Sequence, residues 1–343
     1  MTGFFVSVNQ TGVERMTENN LAGLLLAWYE QHGRELPWRV KGGAHPDPYV
    51  ILVSELMLQQ TTVKTVIPYF HRFMKRFPSV KDLAEATQEE VYFYWQGLGY
   101  YTRARSLHAT ARLVMEKFNG RFPEKREDVL KLKGIGPYTV ASFLALAFNQ
   151  PETVVDGNVI RVISRLFRLT EPVSEILPQI REKAAGLTDR TRPADYASAI
   201  MDLGAMICTP KNPQCLLCPW QEHCLSKTDP GLEEIPRRGK PAKKVKNGYV
   251  YLLSNRNGEI FIRKRTEKGL LSGLYEFPWS DGAQLFQDAK DTGCEVSHTF
   301  THFKLILKIC PEAGMFIRPE NLSAYPVSTL MKKVYQAALK NVF

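Results

Sequence analysis

CTPKNPQCLLCPWQEHC, running from Cys208 to Cys224, gathers four of the chain's six cysteines into seventeen residues. Disulfide scaffolds of secreted proteins are short and cysteine-rich throughout, whereas this chain has 343 residues. Four unlinked structural thiols do not account for such density. Thiolates at close spacing bind zinc or iron–sulfur clusters. The pattern is C-x6-C-x2-C-x5-C inside a loop held by Pro210, Pro213 and Pro219. Zinc sites usually pair two C-x2-C knuckles across a longer arm, and only one such pair stands here. A single closed loop carrying every ligand suits a [4Fe–4S] cluster better, although proximity alone leaves zinc and iron both open. Cys294 and Cys310, far downstream, read as buried small hydrophobes.

Working outward, 44% hydrophobic residues are ample for packed cores, and the length suggests two or three domains. A formal charge of +10 and a pI near 9.2 favour a polyanionic partner such as nucleic acid. The longest apolar run, Val140 to Phe148, is a buried helix by length rather than a membrane span. The opening MTGFFVSVNQTGVER has neither a basic first segment nor a small-residue cleavage site, so it is not read as a signal peptide. A cytoplasmic, nucleoid-associated bacterial protein with no membrane segment is expected. Helical spacing fills LAGLLLAWY, VILVSELMLQQ, VASFLALAF, VIRVISRLFRL and AIMDLGAMI. The chain then changes character at DPGLEEIPRRGKPAKKVKNG, whose six Lys/Arg between Arg237 and Lys246 have no acid among them. Beyond it, YVYLLSNRNGEIFIRKR reads as a hairpin about Asn257-Gly258, and SHTFTHFKLILKIC adds one strand. The expected organisation is an extension over 1–15, read as disordered, a mainly α domain over 16–227, a basic linker over 228–246 and an α+β domain over 247–343. Met16 offers an alternative start.

A second pattern is LKGIGPYTVASFLALAF, Leu132 to Phe148, in which Gly134 and Gly136 form a turn between two helices. Glycines let a backbone approach phosphate closely, and the following helix offers N–H groups and the positive end of its dipole. Beside the cysteine loop, this resembles the helix–hairpin–helix of the endonuclease III and MutY superfamily of DNA glycosylases. The resemblance implies a helix–hairpin–helix glycosylase fold with a [4Fe–4S] cluster on Cys208, Cys215, Cys218 and Cys224. In VDGNVIRVISRLF, Asp156 or Asn158 suits a helix N-cap. The resemblance makes Asp156 the catalytic aspartate and Asn158 its supporting amide.

Glu55 lies in a helix that is apolar nearly all round, which makes it either an exposed stripe residue or a buried acid of raised pKa. SELMLQQT resembles the MutY-type adenine glycosylases, whose general acid occupies this glutamate. Tyr138 stands where bifunctional relatives carry a Schiff-base lysine, so hydrolysis without strand cleavage is implied. Tyr100 in WQGLGYYTRAR resembles the residue inserted beside the lesion, with Gln60 entering the stack from the other side and Thr61 as a further DNA contact. Tyr101 reads as a core aromatic. Arg39, after LPW, resembles a residue near the adenine pocket. Ten residues before the first cluster cysteine the family often has Gln or Glu, and this chain has Ser198.

GLLSGLYEFP resembles the NUDIX-like recognition domain of the same enzymes. The metal helix, F-Q-D-A-K-D-T-G, keeps one acid of the expected glutamates, which excludes magnesium pyrophosphohydrolase chemistry. Phe300, Thr301 and His302 resemble the loop that checks the base opposite adenine for 8-oxoguanine, with threonine in place of the usual serine. A monomeric, monofunctional adenine glycosylase acting on duplex A:8-oxoguanine or A:G is expected. The alternatives are another lesion specificity on the same fold, or a non-catalytic iron–sulfur mismatch sensor.

Overall fold

A computed structural model describes residues 18–40, 46–237, 244–253, 257–266, 269–281, 294–300, 303–312 and 316–341. The extension over 1–15, part of the basic linker, the NUDIX metal-helix segment, Thr301 and His302 lie outside them. The helical part runs α1 (Glu18–His32), α2 (Pro48–Leu58), α3 (Val63–Arg76), α4 (Val80–Glu85), α5 (Gln88–Trp95), α6 (Tyr101–Phe118), α7 (Arg126–Val129), α8 (Pro137–Phe148), α9 (Gly157–Leu166), α10 (Val173–Leu187) and α11 (Pro193–Met206). Each apolar segment read as helical has most of its length in one of these, with VILVSELMLQQ, VIRVISRLFRL and AIMDLGAMI running one to three residues past the ends of α2, α9 and α11. None of the described helices is long and apolar enough to cross a membrane.

Local chemistry sets the helix starts. Asp47 caps α2, accepting from the Tyr49 amide, with Pro48 at the first helical position. Ser79 and Asp82 form a capping box on α4. Asp156 caps α9. Packing then selects the faces: α11 lies against α1, α8 and α9, and α2 against α8. Leu25, Ile163, Ile180, Leu203 and Trp220 belong to one core. The Trp220 ring also donates to the Leu21 carbonyl at 2.8 Å, tying the cysteine loop to α1.

The C-terminal part comprises β1 (Lys244–Leu253), β2 (Ile260–Phe261), β3 (Arg263–Lys264), β4 (Tyr275–Glu276), β5 (Trp279–Asp281), β6 (Glu295–Thr299), β7 (Phe303–Glu312), β8 (Phe316–Ile317) and α12 (Thr329–Asn341). Its main sheet has the order β5-β1-β7-β6, with β1 and β7 parallel. Val250, Leu252, Leu305, Leu307 and Val334 share its core. Three expectations differ from the structure. Among the described residues the segments flanking Asn257-Gly258 do not ladder with each other, because β1 is flanked by β5 and β7; β2 pairs with β8 instead. SHTFTHFKLILKIC is two antiparallel strands rather than one, with Thr299 opposite Lys304, so Phe300 begins the connection between them. Cys294 is only partly buried against this core.

By internal contacts the chain divides into Met1–Gln60 with Leu113–Gly239, and Thr61–Arg112 with Lys240–Phe343. The second unit thus joins α3, α4, α5 and the start of α6 to the C-terminal strands.

Candidate active site

Glu55 sits on α2 with only 7% of its surface exposed. Burial pushes its carboxyl up from 4.5 to about 7, and the neighbouring Asp156 charge adds to the rise. A hydrogen bond from Ser142 and the Arg39 charge pull the other way. Ser142 Oγ donates to Glu55 Oε2 at 2.6 Å, with the Thr139 carbonyl as a second acceptor at 3.2 Å. Tyr138, in the first turn of α8, points its hydroxyl toward Met201 Sδ at 3.9 Å. Burial, followed by the charges of Glu55 and Asp156, drives its phenol well above the ordinary range. The three side chains therefore share one electrostatic neighbourhood.

Asp156 is held by its cap. Its Oδ1 accepts from the Asn158 and Val159 amides at 2.8 and 2.7 Å, and Oδ2 accepts from Asn158 Nδ2 at 2.9 Å. Asn158 is positioned in turn by Arg161, whose Nη2 donates to Asn158 Oδ1 at 3.0 Å and whose Nε donates to the Cys208 carbonyl at 2.7 Å. Gly204 closes the packing behind this turn: a Cβ there would lie 2.6 Å from Asn158 Cβ. The cap and the catalytic expectation fall on the same residue.

Arg39 approaches the site from the segment before α2. Its Nη1 and Nη2 donate to Asp202 Oδ2 and Oδ1 at 2.8 and 2.9 Å. Arg34 grips the same carboxylate through Nε and Nη2, at 2.8 and 2.6 Å. Asp202 is fully buried; burial would raise its pKa, but the two arginines outweigh that and hold it below the usual range. Ser198, one turn earlier on α11, is buried and hydrogen-bonded to Tyr29. Ser142, Asp202 and Arg34 escape a motif-based reading. The signal for the first two was present: each is a polar residue inside an otherwise apolar helix.

Cys208, Cys215, Cys218 and Cys224 line one cavity together with Arg165 and Lys227. None of the four is in a disulfide. Arg165 braces the loop, donating to the Thr209 and Pro210 carbonyls at 2.6 and 3.1 Å and to Cys208 Sγ at 3.5 Å. Among the described residues no three His, Cys, Asp or Glu side chains converge on a single metal ion. A tetrahedral zinc would draw its sulfurs to about 3.8 Å apart, from Zn–S bonds of about 2.3 Å. Four thiols standing around a void fit the larger iron–sulfur cube, with ligands of the soft class it requires.

The hairpin before α8 has the backbone expected for phosphate. Gly134 adopts φ 74°, which a side chain would disfavour, and Gly136 is the N-cap with no side chain to occupy the helix end. Gln60 and Tyr100 both lie in the left-handed region, at φ 60° and 49°, unusual for residues with a Cβ. In the second unit Arg103 anchors the Tyr100 loop: Nη2 donates to the Leu98 and Gly99 carbonyls at 3.2 Å and to Thr61 Oγ1 at 3.4 Å. Tyr100 itself is 43% exposed, whereas Tyr101 is buried as expected. Phe300 lies partly buried against the C-terminal core, edge-on to His298 at 4.8 Å.

Residues 53–185 match the HhH-GPD superfamily of base excision DNA repair proteins, 208–224 the iron-sulfur binding domain of endonuclease III, and 249–337 the NUDIX domain. Human adenine DNA glycosylase is 33% identical, covering 92% of this chain and 73% of that protein. The adenine DNA glycosylase of Buchnera aphidicola (subsp. Baizongia pistaciae) is 36% identical over 74% of this chain and 72% of its own length. Among solved structures, a thermostable thymine-DNA glycosylase matches with a TM-score of 0.55 and 29% identity over 61% of this chain and 96% of its own. A non-covalent endonuclease III–DNA complex shares the fold, with a TM-score of 0.50 and 22% identity over 62% and 97%.

Proposed function

This chain belongs to the adenine DNA glycosylases of base excision repair, and from that premise we propose that its target is adenine mispaired with 8-oxoguanine, with guanine as a secondary opposite base. It binds duplex DNA, and its cysteine loop carries a [4Fe–4S] cluster. The observation that carries the chemistry is a buried Glu55 carboxyl, held near pH 7, in the field of a carboxylate fixed by three N–H donors.

Glu55, protonated, gives its proton to N7 of an extrahelical adenine. The C1′–N9 bond breaks and its electron pair leaves with the base. Asp156 lies against the resulting sugar cation, with Asn158 fixing the carboxylate. Water adds at C1′ and passes a proton to the Glu55 carboxylate, which restores the acid. Two carboxyls in different protonation states follow the logic of glycosidases. Tyr138 cannot form a Schiff base, so the abasic strand stays uncut. Cys208, Cys215, Cys218 and Cys224 would hold the cluster, which would fix the basic loop that includes Lys211 without taking part in bond breaking. Gly134 and Gly136 receive backbone phosphate, while Gln60, Thr61 and Tyr100 engage the stack. Phe300, Thr301 and His302 address the opposite base.

The test is single-turnover excision on A:8-oxoguanine, A:G and T:G duplexes with enzyme in excess. Excision should be fastest on A:8-oxoguanine, and strand breaks should appear only after alkali. A duplex bound but left intact would make the protein a mismatch sensor, and thymine release would make it a glycosylase of other specificity. One chain per duplex in sedimentation checks the monomeric state; a two-to-one complex contradicts it.

A further inference from the structure

Within the second unit, α5 presents three residues at helical spacing to the C-terminal strands. Glu89 receives Lys264 Nζ at 3.3 Å and is hydrogen-bonded to the Tyr275 hydroxyl. Tyr92, three residues on, packs so tightly on Gly273 that a Cβ there would lie 2.9 Å from its ring. Gln96, at the C-cap, donates through Nε2 to the Val327 carbonyl at 2.7 Å and the Tyr325 carbonyl at 3.2 Å. Residues three, four and seven apart share one helix face, so these contacts form a single seam. The seam is anchored in the domain core, because Val327, which accepts from Gln96, is buried there and bridges Tyr275 of β4.

The near end of the seam opens directly into the Tyr100 loop. Gly97 follows Gln96 at φ 108°, and a Cβ there would meet the Tyr69 hydroxyl, so glycine suits the turn out of α5. Trp95 Nε1 then donates to the Gly99 carbonyl at 3.1 Å, and Tyr100 follows in its left-handed conformation. A strained, exposed aromatic persists only when its surroundings over-determine it. Part of that determination comes from the C-terminal domain.

We propose that α5 couples the C-terminal domain to the Tyr100 loop, with Gln96 as the positioning residue that holds the loop ready for insertion into DNA. The domain then contributes to lesion capture in two ways, through its own contact with the opposite base and through the geometry it imposes on Tyr100. This rests on the DNA-binding role proposed for Tyr100; the coupling within the protein does not require that role.

Gln96→Glu keeps the side chain's size but removes both donors and sets a carboxylate against two carbonyls. In the full cluster-bearing chain, amide exchange over 97–101 should quicken about tenfold, while exchange over 134–138 stays unchanged. Glu89→Gln, a surface change at the other end of the seam, should move the same amides in the same direction by less. Binding to an A:8-oxoguanine duplex should weaken about tenfold for Gln96→Glu, and this loss should vanish in a Tyr100→Ala background. Unchanged exchange over 97–101 in both variants overturns the coupling, and so does a binding loss that persists undiminished in Tyr100→Ala. The exchange measurement needs no excision, so it stands even if the glycosylase specificity is wrong.

Discussion

Glu55→Gln should leave the protein increasingly more stable than wild type as pH rises while removing its chemistry. Burial holds the Glu55 carboxyl at about 7 against an ordinary 4.5. At about 1.36 kcal/mol per unit, ionising it in the folded chain costs on the order of 3 kcal/mol. The sign follows from linkage: the folded state binds this proton more tightly than the unfolded state. Wild-type stability is therefore full below about pH 4.5, falls as pH climbs, and has lost the whole increment above pH 7. Glutamine does not titrate, and Ser142 can still donate to its carbonyl oxygen. Any unsatisfied amide hydrogen adds a constant offset, so the pH dependence is the diagnostic quantity. Between pH 5 and 8 the variant's lead over wild type should widen by about 2–3 kcal/mol, or about 5–10 °C in melting temperature for a unit of this size. Both proteins would be scanned at one rate with the cluster loaded, because unfolding with cluster loss is irreversible. In parallel, single-turnover excision should fall by about 10²–10⁴-fold in the variant. The wild-type rate should drop about tenfold per pH unit above 7 as the acid ionises. A lead that does not change with pH refutes the raised carboxyl, and persistent excision removes Glu55 from the mechanism.

Asp202→Asn leaves Arg34 and Arg39 without their shared counter-charge and should cost about 2–4 kcal/mol of stability. The Arg39 charge, no longer offset, should also depress Glu55 and move the alkaline limb of the pH–rate profile downward; a limb that stays put contradicts the coupling. Cys218→Ser should yield protein with fewer than about four irons per chain and at least about tenfold weaker DNA binding, and full iron content would remove Cys218 from the ligand set. Gly204→Ala forces a Cβ to within 2.6 Å of Asn158 Cβ, at a cost of about 1–3 kcal/mol. By displacing Asn158 from Asp156 it should slow excision more than it weakens binding to an uncleavable duplex, and equal losses would count against the positioning role.

What could be read from sequence was local. The cysteine spacing, the Gly134–Gly136 hairpin and the Asp156 cap each lie within one short stretch, and backbone geometry follows from residue type at fixed offsets. Strand pairing was not local. Asn257-Gly258 has the chemistry of a tight turn, but whether the flanking strands ladder depends on what else lies beside β1, and β5 and β7, both later in the chain, flank it in the sheet. The grouping of α3 to α5 with the C-terminal strands was equally hidden. Gln96 carries no motif, and its acceptors Tyr325 and Val327 stand 229 and 231 residues away.

Glu55 and Asp202 mark where reading from sequence stops. Each is a carboxylic acid embedded in an apolar helix, so the same pattern flags both as expensive to bury. Their fates are opposite. Glu55 accepts from a neutral hydroxyl 87 residues away, which offsets only part of the cost of burying charge, and its pKa rises to the range a general acid needs. Asp202 receives two guanidinium groups from 163 and 168 residues away and stays ionised. One becomes a proton donor and the other a structural anion, and the difference lies wholly in partners supplied by tertiary packing. The two are also connected: Arg39, fixed by Asp202, adds a downward pull on the Glu55 carboxyl, smaller than that of the Ser142 hydrogen bond. An unpaired Arg39 would pull Glu55 toward ionisation, whereas a site without Arg39 would lose that restraint. The acid's strength is thus set first by burial, and a buried ion pair that bears no mark of catalysis in the sequence adds a smaller restraint.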